Sequence, residues 1–476
     1  MESKYRGHLG AAMAAVASAI LYFYGTGIHP HWYLTWIAPI PVLVAVPRIS
    51  RWAAAIAAFA AFALGELNLV AYALRIIPLP IIILLVVFPA AFFAASTFIF
   101  RIFVKRRQLI WAVISLPALW TAFEFLTEFR SIHGTFGNLA YTQMNCLPIV
   151  QIVSITGIWS VSFLLLLLPA AVAAILAPGA TMQQKRAIAL GASLTFGAVL
   201  GFGVYRLHCE PVGTLVRVGL IDTDAAESVY PEGQPSVELV LSYAKHIPEL
   251  AREGAEVVVI PEKIGRFNES EIGESDGILR QAASQNHVTI VAGLLHLPNR
   301  NEARIYSPDG MLEATYEKHH MLPPFESGLA AGKTRTILIR PSGKWGVEIC
   351  KDMDFPALSR QYGADGVGLL LVPAWDFVED GWLHGRMAIL RGIESGFSIV
   401  RVAKQGELTV TDNRGGVLAE QTTGAAPFNL LVTSVRLEKV QTFYDQTGDW
   451  FAWFDLALLV IIFISLARRR PSGASR

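Results

Sequence analysis

The hydropathy pattern changes period twice along the chain. Apolar runs long enough, or nearly so, to cross a bilayer lie at about 8–25, 33–47, 52–73, 78–100, 109–127, 148–177 and 187–206, with one more at 450–467. The pattern predicts seven helices, a long interval and an eighth helix. The second run, "WIAPIPVLVAVP", is short and proline-rich, so a broken or tilted segment is expected there. If it does not cross, the orientation of what precedes it changes.

Between the seventh and eighth runs the period shortens. The stretches "VRVGLID", "EVVVIPE" (256–262), "VTIVAGLL" (288–295), "RTILIR" (335–340), "WGVEICK" (345–351), "VGLLLVPA" (367–374) and "FSIVRVA" (397–403) read as buried strands, and 236–253 and 383–396 as helices among them. Two hairpins are predicted, in "ARIYSPDGMLEATYEK" and "GELTVTDNRGGVLAE", turning at Asp-Gly and Arg-Gly-Gly. Strands alternating with helices predict an α/β domain with buried sheets, long enough to hold its own core. The expected domains are residues 1–210 with seven transmembrane helices, 211–445 as the α/β domain, and 446–476 with the last helix and a basic tail.

Charge assigns sides. Lys4 and Arg6, Arg48 and Arg51, Arg101, Lys105, Arg106 and Arg107, Lys185 and Arg186, and Arg468, Arg469 and Arg470 all fall on one side of the predicted bilayer, and the opposite short loops hold little beyond Arg75 and Arg130. The positive-inside rule makes the first side cytoplasmic and places the α/β domain on the outer face. The start of the chain is expected to be a retained helix rather than a cleaved signal, because no small-residue cleavage site precedes the next apolar segments. Composition agrees with a membrane protein that has a sizeable polar part: 53% of the residues are hydrophobic, 16% are charged, and the mean hydropathy is +0.45. A net charge of +1 without a basic stripe argues against nucleic-acid binding. Three cysteines, Cys146, Cys209 and Cys350, with no CxxC pair, imply neither a disulfide framework nor a metal site, and whether Cys146 and Cys209 pair is left open.

Three residues that can do chemistry fall at predicted strand ends: Glu262 in "VVVIPEK", Lys318 in "YEKHHMLPPFESG" and Cys350 in "GVEICKDMDFP". A carboxylate, an ammonium and a thiol together can transfer an acyl group, the first as base, the second steadying the oxyanion and the third attacking the carbonyl. Each has a plainer reading. A strand-end cysteine is usually a small core hydrophobe, and Glu262 and Lys318 can be solvated charges. His319 and His320 are adjacent, so they point opposite ways along an extended segment and make no simple ligand pair.

The three blocks, in this order and at intervals of 56 and 32 residues, resemble the signature blocks of the carbon-nitrogen hydrolase (nitrilase) superfamily. "RMAILRGIESGFSIVRVAKQGELTVTDNRGGVLAE" is similar to that superfamily's Arg-x-x-Glu-x-Gly segment and the hairpin after it. The resemblance implies an αββα sandwich with Glu262 as base, Lys318 as oxyanion stabiliser and Cys350 as nucleophile, and Glu326 as the second glutamate beside the lysine. Supporting roles are expected for Lys351 and Asp352, and substrate contacts for Trp375, Arg391 and Glu394. No cofactor and no metal are implied. Seven helices before such a domain and one after it resemble the apolipoprotein N-acyltransferase family, as do "FEFLTEFRSIHGTFGNLAYTQMNCLPIVQIVSITGIWSVSFLLLLL" and the Gly-Asp-Trp of residues 448–450 in "TFYDQTGDWFAWFDLALLV". That family implies a phospholipid acyl donor, a lipoprotein acceptor, surrounding membrane lipids and a place in the bacterial inner membrane with the catalytic domain on the periplasmic face. A monomer is expected.

Departures from the family mark where its substrate is in question. Lys351 and Asp352 follow the cysteine where the family has an aromatic residue and a glutamate; Val372 and Pro373 replace Asn-Asp before Ala374 and Trp375; "GTFGNLAY" replaces Gly-Phe-Pro-Trp. Lys318 and Lys351 are expected to lower the thiol pKa, and Asp352 and Asp354 to raise it if they point inward. Trp375, Phe377, Trp382, Trp450 and Trp453 suit the level of the bilayer surface. The alternatives are a membrane-tethered amidase or nitrilase-type hydrolase, an acyltransferase with another amine acceptor, and a scaffold that has lost activity.

Overall fold

Val257, Val258, Val259 and Ile260 are all fully buried, yet they serve two layers. Successive strand side chains point to opposite faces, so Val257 and Val259 enter one apolar cluster while Val258 and Ile260 enter another. This double burial is why the strand reads as a continuous apolar run.

The computed structural model describes residues 2–210, 212–224, 231–424, 427–438 and 440–468, with side chains from His8 onward. The side chains of Lys4 and Arg6, and Arg469, Arg470 and the tail after them, lie outside the described residues. The chain divides into two compact units. One comprises Met1–Phe129, Gly137–Tyr205 and Asp449–Arg476; the other comprises Arg130–Phe136 and Arg206–Gly448.

The first unit is helical. Among the described residues six segments are long and apolar enough to cross a membrane: His8–Gly25, Arg51–Ala73, Leu79–Lys105, Leu109–Glu128, Met182–His208 and Trp450–Ala467. The expectation of eight is not matched one for one. The run at 33–47 breaks into Trp32–Thr35, Ile40–Ala45 and a turn at Val46–Arg48, because Pro39, Pro41 and Pro47 cannot donate to a helical ladder. The run at 148–177 breaks at Gly157, whose φ of 67° is left-handed, and leaves Trp159–Ile175 as its longest helix. Some buried polar groups in this unit are visibly paired. Glu124 accepts from the Leu139 amide at 2.7 Å and the Trp120 indole at 3.0 Å. Trp159 donates to Asp449 at 2.8 Å, and Trp450 to the Ile155 carbonyl at 2.7 Å, so Asp449 and Trp450 fasten the start of the last helix to the 155–159 region.

The second unit holds two sheets. Its strands are β1 (Thr214–Asp222), β2 (Val257–Ile260), β3 (Arg266–Phe267), β4 (Thr289–His296), β5 (Arg300–Tyr306), β6 (Leu312–Glu317), β7 (Thr336–Arg340), β8 (Gly343–Val347), β9 (Val367–Trp375), β10 (Ser398–Lys404), β11 (Glu407–Thr411), β12 (Val417–Thr422) and β13 (Asn429–Leu437). One sheet runs β13-β1-β2-β4-β5-β6 with β3 beside β4, the other β12-β11-β10-β9-β8-β7. Each has three parallel strands at its centre, β1, β2 and β4 or β8, β9 and β10, flanked by antiparallel ones.

The inner faces meet in a single apolar layer that includes Val218, Leu220, Val257 and Val259 from the first sheet and Val347, Leu369, Leu371 and Val400 from the second. The outer faces pack on helices: Gln234–Arg252 and Glu269–Asn286 over the first sheet, Pro356–Ala364 and Gly381–Ser395 over the second. This is the predicted αββα sandwich. Each buried Val or Leu contributes about 1.5–3 kcal/mol, and the inner layer alone holds more than a dozen. Cys146, Cys209 and Cys350 form no disulfide among the described residues.

Candidate active site

The carboxyl ends of the parallel strands gather the polar residues. Glu262 follows β2, Lys318 follows β6, Cys350 follows β8, and Trp375 ends β9. Glu262 and Lys318 belong to the first sheet and Cys350 and Trp375 to the second. The two sheets are joined at this end by a hydrogen bond from the Glu262 amide to the Ala374 carbonyl, 3.2 Å. Gly293 on β4 allows the Glu262 turn to lie close: a Cβ there would meet the Pro261 carbonyl oxygen at 2.4 Å and the Glu262 Cα at 2.5 Å.

Lys318 is fully buried between two carboxylates, its Nζ 2.8 Å from Glu262 Oε1 and 2.9 Å from Glu326 Oε2. Burial alone would lower its pKa, but the charges of Glu262 and Glu326 outweigh that and hold it well above the ordinary lysine value. Glu326 accepts further from Lys263 Nζ at 2.6 Å and from the Leu322 amide at 2.8 Å. Burial would raise its pKa, yet Lys318 and Lys263 bring it down to about 2. Asn301 Nδ2 bridges the carboxylates, 2.6 Å from Glu262 Oε1 and 2.9 Å from Glu326 Oε1.

Cys350 opens a one-turn helix, Cys350–Asp354, with a left-handed φ of 47°. Its thiol donates to the Trp375 carbonyl at 3.4 Å. Burial, reinforced by Glu262, pushes the thiol pKa up despite the opposing charge of Lys318. Lys318 acts to lower it as expected but is outweighed by desolvation, and Lys351 does not take the expected part: it turns its ammonium to His133 Nδ1 at 2.9 Å and Asp354 at 3.8 Å. Burial, then Lys351, brings the His133 pKa down to about 4, so it is neutral and accepts. Asp352 does not face the thiol either. It is fully buried and accepts from Tyr316 Oη (2.7 Å) and from the amides of His319 (3.1 Å), His320 (2.8 Å) and Ile349 (3.2 Å), joining the lysine loop to the cysteine turn.

His319 stacks on Tyr316 and His320 on Phe355. Trp375 is half-buried beside the thiol, its indole donating to Gln405 at 2.9 Å. Arg391 and Glu394 are not brought into the cluster; they form an i,i+3 ion pair at 2.9 Å inside the helix Gly381–Ser395, and neither is exposed to a ligand arriving from solvent. Trp453 and Phe325 are largely exposed. Four of the six non-glycine residues with positive φ among those described, Lys263, Cys350, Val378 and Gln405, lie next to these strand ends. Each such conformation costs about 1–3 kcal/mol, and such strain concentrates where a site demands it.

The sequence reading missed three residues here. Asn301 shares its strand face with Ala303 and Ile305, both in the inner core, so an inward-facing polar residue was the available signal. Lys263 stands directly after Glu262. Lys404, at the end of β10, is fully buried although lysine seldom is. As a whole, the arrangement offers a hydrogen-bonded carboxylate, a fixed cation and a neutral thiol at a half-buried opening, the set that acyl transfer requires.

Residues 18–171 match the family described as apolipoprotein N-acyltransferase N-terminal domain, and residues 229–441 match carbon-nitrogen hydrolase. The apolipoprotein N-acyltransferase of Geobacter metallireducens is 26% identical, over 98% of this chain and 96% of its own. The chain is similar to apolipoprotein N-acyltransferases over nearly its whole length. The enzymes of that name from Shewanella oneidensis and Thermotoga maritima are 26% and 24% identical over 71% and 76% of this chain, and 70% and 73% of theirs. Among solved structures, a mutant amidase of the nitrilase superfamily from Nesterenkonia aligns with 52% of this chain and 99% of its own, at 19% identity and a TM-score of 0.42. The two family matches fall in different parts of the chain, one in the helical region and the other in the sandwich.

Proposed function

We propose that this protein is an N-acyltransferase that moves a fatty acyl chain from a phospholipid, through a thioester on Cys350, to the N-terminal amine of a diacylglyceryl-cysteine lipoprotein. The observation that carries the reading is the buried Glu262–Lys318 contact at 2.8 Å beside the strained Cys350 turn, in a chain whose helical and sandwich parts match an apolipoprotein N-acyltransferase N-terminal domain and a carbon-nitrogen hydrolase.

The raised thiol pKa decides how the nucleophile is activated. A standing thiolate is disfavoured, so the proton must leave as the sulfur attacks, and Glu262 is the local carboxylate base. Cys350 Sγ bonds to the ester carbonyl carbon, its proton passes to Glu262, and the oxyanion is held by Lys318 and a backbone N–H, that of Lys351. Collapse expels the lyso-phospholipid, which takes the proton, and leaves the thioester. The acceptor amine then attacks, Glu262 removes its proton, and the thiol leaves with an amide formed.

Residues 1–210 and 446–476 are read as the anchor in the bacterial inner membrane, and 211–445 as a catalytic domain on its outer face. Trp375 is read as a substrate contact; Arg391 and Glu394 are read as supports of their helix. Mass spectrometry of the full-length protein incubated with phospholipid tests the scheme. An acyl adduct on Cys350 that transfers to an added diacylated lipopeptide is expected. An adduct cleared by water alone rejects the acyltransferase for a hydrolase, and its persistence in Cys350→Ala rejects the nucleophile.

A further inference from the structure

The proposed mechanism leaves Lys404, a buried cation at the site, unused. Lys404 ends β10 and is fully buried, with its Nζ 3.0 Å from the backbone carbonyl oxygen of Lys263 and 3.8 Å from the centre of the Trp375 indole ring. Both contacts lead to reacting groups. Lys263 is the neighbour of Glu262 and holds a left-handed φ of 47°, and the Trp375 carbonyl accepts the Cys350 thiol hydrogen at 3.4 Å. Lys263 Nζ lies over the same indole at 5.1 Å while donating to Glu326.

We propose that Lys404 is a positioning residue of the acyl-transfer site: it ties the turn that carries the base, from one sheet, to the tryptophan that holds the nucleophile, from the other. This rests on the reading of Glu262 and Cys350 given above.

Both ends of the tie need it. Lys263 sits where a side chain is seldom found, so its carbonyl must be fixed from outside its own turn. Trp375 is only half-buried, and the ammonium over its ring face adds a hold beside the indole bond to Gln405. An ammonium over the ring face is worth about 2 kcal/mol when desolvated, and one that also donates to the carbonyl opposite sets the distance between the two. A nonpolar side chain of the same length would fill the space without making either contact.

The charges facing Lys404 are Lys263 and Glu262 after β2 and Asp222 and Asp224 at the end of β1. Glu262 is engaged by Lys318, and burial followed by Asp224 pushes Asp222 up to about 8. Burial and then Lys263 bring the Lys404 pKa down to about 7. The tie is charged below that pH and weakens above it.

Single-turnover acylation of Cys350 by a phosphatidylethanolamine with a labelled acyl chain, measured from pH 5.5 to 8.5 on the full-length protein, tests this with Lys404→Met and Lys404→Arg. At pH 6 the methionine variant is expected to lose about tenfold in the acylation rate constant, with the half-saturating lipid concentration changed less than about threefold. The arginine variant, charged throughout, recovers most of the rate, and the wild-type advantage over methionine shrinks above pH 7. A methionine variant within about twofold of wild type at pH 6, or an arginine variant no better than methionine, overturns the proposal. Should Lys404→Met fail to fold by circular dichroism, Lys404→Gln, which keeps a donor without the charge, replaces it. Alkylation of Cys350 by iodoacetamide separates the two readings. If lipid labels no cysteine in wild type, the acyl-transfer scheme fails, and Lys404 is judged by whether arginine but not methionine sustains the alkylation rate. Equal alkylation rates in the two variants reject it.

Discussion

Glu262 Oε1 lies 2.8 Å from Lys318 Nζ, and both side chains are sealed from solvent. The same oxygen also accepts from Asn301, so the carboxylate is held and aimed. Glu262→Gln keeps the shape and an acceptor for both donors but removes the base. Acyl-enzyme formation should fall by about 10²–10⁴, measured by single-turnover mass spectrometry, while the fold survives because Lys318 retains Glu326. A loss smaller than tenfold assigns the base elsewhere.

Glu326 gives the site an acid limit. Its folded pKa is about 2, below the ordinary 4.5. Between these values the unfolded chain binds the proton and the folded protein does not. The stabilisation is therefore present above about 4.5 and disappears as the pH falls toward 2. The thermal midpoint in detergent should drop over this window in wild type. In Glu326→Gln the drop should be shallower, and an unchanged slope would dismiss the carboxylate as its source.

Gly293→Ala places one methyl against the turn that presents Glu262. The contacts at 2.4 and 2.5 Å are with backbone, which cannot rotate away, so the base must move. Overpacking of this kind costs about 1–3 kcal/mol. Acylation should fall by about a factor of ten or more with little change in lipid affinity. Full activity in the alanine variant would show that the turn tolerates displacement.

Asp352→Ala strands the donors of Tyr316, His319, His320 and Ile349 together. Several of these groups are buried, so the cost should reach about 2–4 kcal/mol, read as a lower denaturation midpoint. Asp352→Asn retains an acceptor and should cost less. If the two variants are equally stable, Asp352 is not what fixes the loop.

The strands were legible because both faces are buried: "EVVVIPE" and "VGLLLVPA" predict β2 and β9 to within a residue or two at each end. "WGVEICK" was read as strand through the cysteine, whereas β8 stops at Val347; nothing in the letters shows that Cys350 must turn left-handed. The ordered blocks around Glu262, Lys318 and Cys350 named the cluster. They could not show which charges meet across two sheets, so Asn301, Lys263 and Lys404 went unread, and Lys351 and Asp352 were aimed at the thiol instead of at His133 and the His319–His320 amides. Prolines gave warning at 33–47 but not at 148–177, where the break turns on Gly157.

The proposed base hangs from one sheet and the proposed nucleophile from the other, with the Glu262–Ala374 bond at the seam. Neither half-sandwich can cleave an ester by itself. On the proposed function this is an interlock against a bilayer made of the acyl donor: a chain still folding among phospholipids would carry an inert thiol, and reactivity would appear only when the two sheets close on each other.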